Sequence, residues 1–189
     1  MRETQLYEKI YEQKEQLNKL VNNYWDLYSG IDTWFFWFNM ASVVIPLIIL
    51  YFKVDKARLF EICFFGYTVH VLWSNVDNVL SKKNFLVHPH TLFHLFPVGI
   101  TVTAVLFPVT FLLLYQYCTN REKNFYIYGI IGSLIFAFGF GGLSVAVDLL
   151  KMDKGMNLMY LFLIDVAIVF TALWMTKLFL NFKHRMNYS

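Results

Sequence analysis

The chain has 189 residues, 58% of them hydrophobic, 20% aromatic and only 15% charged, with a formal net charge of +3. Soluble domains carry about 25% charged residues, so the composition argues against an ordinary soluble protein. The small positive charge comes with no basic stripe interleaved with aromatics, which leaves no case for nucleic acid as a partner.

Residues 1–26 predict an amphipathic helix. Leu6, Ile10, Leu17, Leu20 and Tyr24 recur at spacings of three and four, with Gln13 filling one place in the register. Charges of both signs occupy the other faces. Glu15 and Lys19 form a stabilising i,i+4 pair, whereas Glu8 and Glu12 repel. The helix either lies on the membrane surface or on the rest of the protein, or it associates with a second copy. Gln13 weakens so short a seam for self-association.

Residues 27–189 hold five apolar runs, at 33–52, 59–80, 97–117, 125–150 and 157–176. A spanning helix needs about 20 mostly apolar residues, and each run meets that. Lipid offers no partner for an open strand, and the runs are too continuous for a β-barrel. The expected fold is all-α, an integral membrane bundle of five transmembrane helices behind an N-terminal amphipathic helix, with membrane lipids as its surroundings. The first run is long enough to span and is followed by no small-x-small site, so it reads as a retained span rather than a cleaved signal.

Trp25, Trp34 and Trp37 crowd the start of the first run, and Tyr115, Tyr117, Tyr126 and Tyr128 mark the opposite rim, as aromatic belts do. Pro46 and Pro108 predict kinks. In the fourth run, Gly129-x-x-x-Ser133 and Ala137-x-x-x-Gly141 are small-residue patterns that let helix backbones approach closely. Gly139–Gly142 is either part of that packing or a flexible point. Cys63 and Cys118 are too few for a disulfide framework and read as free thiols.

Helix parity divides the connections between two sides. The N-terminal side, A, has Lys14, Lys19, Lys82, Lys83, Lys151 and Lys154 near the membrane. Side B has Lys53, Lys56, Arg58, Arg121, Lys123, Lys177, Lys183 and Arg185. The excess on B predicts a cytoplasmic side B, with the N-terminus outside and the C-terminus inside.

Charged groups inside a bilayer are costly, so they face other helices, pair, or line wet cavities. In the second run His70, Ser74 and Asp77 share one face, at i, i+4 and i+7, and Glu61, Thr68 and Asn75 share the opposite one. A helix polar on two faces belongs at the centre. Asp148 lies near the A end of the fourth run, and Asp165 lies roughly 12 Å into the fifth at 1.5 Å per residue. The pocket candidates on side A are thus His70, Ser74, Asp77, Asn78, Asp148 and Asp165. Asp165 should have a polar partner on the second run, with His70 the first candidate. On side B, Arg58 and Glu61 at i,i+3 predict a rim ion pair.

The loop between the second and third runs reads "VHPHTLFH" and puts His88, His90 and His94 over that polar region. Three readings stand. The histidines bind zinc, with Asp77 or Asp148 or water completing the shell. They belong to a proton-active or substrate-binding pocket. Or they form an interfacial loop. No cofactor is expected, and Zn²⁺ is the alternative. HExxH, CxxC, P-loop and GxSxG motifs are absent from the sequence.

Arg58-x-x-Glu61, Asp77, Pro97, Pro108, "YQY" at 115–117 and "SLIFAF" at 133–138 resemble a family of small, uncharacterised multi-spanning membrane proteins of endospore-forming bacteria. The resemblance covers roughly residues 33–180 and implies a bacterial inner membrane with no established activity. Members often carry an aromatic–proline motif where this chain has "FLVHPH" and an acidic residue where it has "GFGGLSV". The leading functional expectation is a non-catalytic membrane protein whose rim pocket is structural or binds a small ligand. One alternative is a lipid-head-group enzyme using Asp77, Asp148 and the loop histidines. The other is an ion or proton carrier using His70 and Asp165, which needs a polar path continuing to Glu61 on side B.

Overall fold

A computed structural model describes residues 2–94, 99 and 101–186. Pro97, where the third apolar run was expected to begin, lies outside them. Among the described residues, regular structure is helical apart from one pairing of two-residue strands. Helix α1 spans Glu3–Tyr28 and α2 spans Trp34–Lys53. A 3₁₀ turn at Lys56–Arg58 leads into α3, Leu59–Lys82. After β1 (Leu86–Val87), a π-helical segment at Thr101–Leu106 runs straight into α4, Phe107–Asn120. Helix α5, Phe125–Leu134, continues through a second π-helical segment, Ile135–Gly141, into α6, Gly142–Ala146. Strand β2 (Lys151–Met152) precedes α7, Leu158–Met186.

Local sequence sets these boundaries. Thr33, Asn124 and Asn157 cap α2, α5 and α7 by accepting from the backbone amides of Phe36, Tyr126 and Met159 respectively. Asn84, Glu122 and Asp148 take the left-handed conformation just past helix ends, with φ of 57°, 53° and 61°. The fourth run therefore stops being helical at Ala146 instead of 150: the amides of Leu149 and Leu150 both turn back to the Ser144 carbonyl, at 2.8 and 3.1 Å. The last helix instead continues beyond the predicted 176.

Among the described residues, four helices are long and apolar enough to cross a membrane: Trp34–Lys53, Thr101–Asn120, Phe125–Ala146 and Leu158–Lys183. Helix α3 is as long, at 24 residues, but more polar. It packs against α4 and α7, and α5 packs against both as well. Their shared core includes Phe65, Val69, Phe107, Phe111 and Val169, all 0% exposed. By contrast, α2 leaves Ile45, Leu47, Ile48 and Ile49 exposed, side chains that would each gain about 1.5–3 kcal/mol by leaving water. That pattern suits an apolar solvent.

The small residues of the fourth run do what their spacing predicts. Ser133 and Ala137 are fully buried, and a Cβ on Gly141 would come within 2.9 Å of Leu161 on α7. Pro46 lies inside α2 and Pro108 in the first turn of α4. Proline supplies no N–H to the turn before it, and the π-helical segment at Thr101–Leu106 occupies that turn.

Strands β1 and β2 pair antiparallel, Leu86 with Met152 and Val87 with Lys151. This joins the loop after α3 to the loop before α7 at the A end. Helix α1 has no buried residue, and Leu6, Ile10, Leu17 and Leu20 are all exposed. Its C-terminal part engages the histidine loop: Tyr24 stacks on His90 at 6.1 Å between ring centres, and the Trp25 indole N–H donates to the Thr91 carbonyl at 2.9 Å.

Candidate functional site

A cavity of about 70 Å³ lies towards the A end, enclosed by α2, α3, the histidine loop, both π-helical segments and α7. That volume has room for roughly five water-sized groups. Both π-helical segments face it, through Thr101 and Thr103 on one side and Phe136 and Phe140 on the other. Such segments disturb the regular backbone ladder and recur at functional sites. The Gly139–Gly142 region, read as packing or flexible point, supplies part of this wall.

Two buried aspartates line the cavity. Asp165 is 0% exposed, and its Oδ1 accepts a hydrogen bond from the Trp73 indole N–H at 2.9 Å. The partner is on α3, as expected, but it is Trp73 and not His70. His70 turns instead towards the π-helical segment, with Nδ1 3.1 Å from the Thr103 carbonyl and 3.1 Å from Ser74 Oγ. One residue type explains the difference. Trp73 is three positions from His70, carries a donor on an apolar body, and is counted as hydrophobic in a sequence scan.

Asp77 is 1% exposed and accepts from His88 Nε2 at Oδ1, 2.9 Å away. Gly99 sits against this pair at φ +78°, and a Cβ there would collide with Asp77 Oδ2. Glycine is needed on both counts. The second oxygens, Asp77 Oδ2 and Asp165 Oδ2, are buried and have no hydrogen-bond partner among the described residues.

The other predicted residues separate. Asn78 and Asp148 are exposed. Asp148 lies 3.8 Å from Lys151 Nζ and does not line the cavity. The three loop histidines take three different partners. His88 holds Asp77. His90 stacks on Phe35 at 3.5 Å between ring centres, and its Nδ1 lies 2.9 Å from Ser29 Oγ. His94 packs on Trp25 at 5.4 Å. Burial pushes the His90 imidazole below its ordinary pKa, a hydrogen bond to the Tyr28 backbone acting the other way. Among the described residues, no three His, Cys, Asp or Glu side chains are arranged to hold a metal.

The cavity ends below Asp165. Beneath it lie Val69, Phe107, Phe111 and Val169, all 0% exposed, with Trp73 edge-on to Phe107. Towards side B from Trp73, α3 still carries His70, held at the Thr103 carbonyl, and buried Thr68, whose hydroxyl donates to the Phe64 carbonyl of its own helix; the first charged group beyond them is Glu61, roughly 18 Å along α3 from Trp73. Glu61 belongs to a separate network. Arg58 Nε donates to its Oε2 at 3.2 Å, a second guanidinium nitrogen donates to Oε1, and the Tyr115 hydroxyl donates to Oε1 at 2.6 Å. Arg58 also reaches Thr119 at 3.0 Å. The hydrogen bond from Glu61 raises the Arg58 pKa above its ordinary value against the cost of burial. The rim pair predicted on side B is present and larger than the i,i+3 spacing alone conveys.

Asn39 and Ser42 were not singled out in the sequence, yet both line the cavity from α2. Their signal was available: two polar residues at i,i+3 on one face of an otherwise apolar run. No family model matches the chain, and no curated protein or solved structure matches it either.

Proposed function

We propose that the protein is an integral membrane protein of five spans, with α3 as the fifth, whose one-ended cavity at the A end binds a small polar ligand without catalysing its conversion. The observation that carries this reading is the pair of buried carboxylates, each with one oxygen fixed by a protein donor and the other directed to no described partner. A buried acceptor left unmade costs about 1–3 kcal/mol, so two facing one cavity call for a donor that enters from outside. The lipid-head-group enzyme is less well supported, because Asp148 stands apart from Asp77. A through-carrier is less well supported too, because an apolar layer separates Asp165 from Glu61. The setting is the bacterial cytoplasmic membrane, with side B inside. The open seam of α1 either rests on lipid or joins a second copy.

Thiol accessibility tests the cavity. In a Cys63→Ser background, Ser144→Cys, on the cavity wall, should react with a small methanethiosulfonate reagent. Val169→Cys, in the apolar layer, should not. Equal reactivity at the two positions, or none at Ser144→Cys, overturns the one-ended cavity.

A further inference from the structure

The hydrogen-bond state of the wall specifies the ligand further. Five residues of the wall spend their donors on protein acceptors, while the hydroxyls of Thr91, Thr101 and Ser144 on the same wall carry no described hydrogen bond. The Trp73 N–H is held by Asp165 and the His88 Nε2–H by Asp77. The Asn39 amide donates to the carbonyls of Phe35 and His90, at 3.0 and 3.2 Å, which spends both of its protons. The Ser42 hydroxyl donates to the Phe38 carbonyl at 2.8 Å, and the Thr103 hydroxyl to the Gly99 carbonyl at 3.1 Å. What these groups leave for an occupant is lone pairs: Asn39 Oδ1, Ser42 Oγ, Asp77 Oδ2 and Asp165 Oδ2.

An occupant that donates meets the two buried carboxylate oxygens that no described protein donor reaches. A carboxylate pair disfavours an anion, and a carbonyl ligand would leave both carboxylate oxygens unmet. Trp73, Phe136 and Phe140 bring rings to the same space. Ring surface attracts a cation. It also gives a bare alkali ion, which wants a full shell of oxygens, little to bind.

On the reading of this cavity as a ligand site, we propose that it takes a small cation bearing N–H donors, either ammonium or a short primary alkylammonium. The N–H groups would reach Asp77 Oδ2 and Asp165 Oδ2, and any carbon would lie against the rings. The volume of about 70 Å³ limits the ligand to a few non-hydrogen atoms.

The test uses the full chain in detergent at constant ionic strength and pH. Methylammonium chloride should slow modification of Ser144→Cys and raise the melting temperature by about 2–4 °C at several-fold saturation, with ammonium acting in the same direction. Sodium, potassium and tetramethylammonium should do neither. Asp165→Asn keeps an oxygen for Trp73 but points an N–H₂ group at the cavity, and should abolish the methylammonium effect. Ser42→Ala, which leaves both carboxylates in place, should weaken the effect and so keeps the test open if Asp165→Asn folds poorly. An equal effect of sodium or potassium would reassign the site to an alkali ion. Ser144→Cys that reacts but is protected by no cation would leave water as the occupant and overturn this assignment, while the cavity itself stands. A Ser144→Cys that never reacts removes the cavity reading beneath it.

Discussion

Trp73 and Asp165, 92 positions apart in the chain, are joined by one buried hydrogen bond from indole nitrogen to carboxylate oxygen at 2.9 Å. It ties α3 to α7 at the depth where the cavity gives way to the apolar layer. Asp165→Asn preserves this acceptor and should cost little. Asp165→Leu strands the Trp73 donor and should lower stability by about 1–3 kcal/mol. The Trp73→Phe/Asp165→Leu double variant should recover part of that loss, because both ends of the bond are then gone. Equal melting temperatures for Asn and Leu at 165 would mean that the bond contributes nothing to folding.

Gly99 is the tightest steric point of the site. Gly99→Ala combines a left-handed backbone, which costs a non-glycine residue about 1–3 kcal/mol, with a collision against Asp77. We expect a lower melting temperature and loss of protection of Ser144→Cys by methylammonium. A parent-like Gly99→Ala on both measures would show that the loop does not press on Asp77.

His90 predicts a pH dependence. Its folded pKa is lowered, so between that value and the unfolded one the unfolded chain binds more protons. The stability it contributes is complete above about pH 6.5 and is lost as pH falls below it. The melting temperature of the parent should therefore drop more steeply from pH 7.5 to 5.5 than that of His90→Gln. Parallel curves for the two proteins would exclude His90 as the source.

At the other rim, Tyr115→Phe removes a hydrogen bond to Glu61 from a residue only 2% exposed. A hydrogen bond to a charged group is worth about 1.5–3 kcal/mol, so the variant should be measurably less stable in thermal unfolding. Methylammonium should still protect Ser144→Cys in it, because the apolar layer separates the two networks.

Orientation is open to direct labelling. Residue 86 is a poor reporter, since Leu86 is 1% exposed in β1, whereas Asn84 beside it and Glu122 at the other end are exposed. In the Cys63→Ser background, an impermeant thiol reagent added outside cells should label Asn84→Cys and spare Glu122→Cys. The reverse pattern would place side A inside.

The features that were legible in the sequence are those that depend on period and composition. The amphipathic face of α1, the long apolar helices, the small-residue stripe and the Arg58–Glu61 pair all follow from spacing along a helix. The burial of Asp77 and Asp165 followed from their position within apolar runs. The partners did not, because they are set by how helices rotate against one another. Trp73 was hidden by its apolar body and Asn39 by its neighbours. The histidine spacing suggested convergence, yet His88, His90 and His94 point to α3, the α1–α2 junction and α1. The π-helical segments and the β1–β2 pairing depend on backbone geometry that no residue pattern in the chain announces.

The β1–β2 pairing has a consequence for selectivity. It fastens the chain just after α3 to the chain just before α7, and these two helices each bring one cavity aspartate. The gap between the two carboxylates is thereby held by main-chain bonds at the rim and by the Trp73 bond below, like the jaws of a caliper locked at one setting. On the proposed reading, a guest too large for that gap could be admitted only by unpairing the strands. Discrimination by size would then belong to the backbone, and side-chain exchange inside the cavity would change how tightly a guest is held more readily than which guest fits.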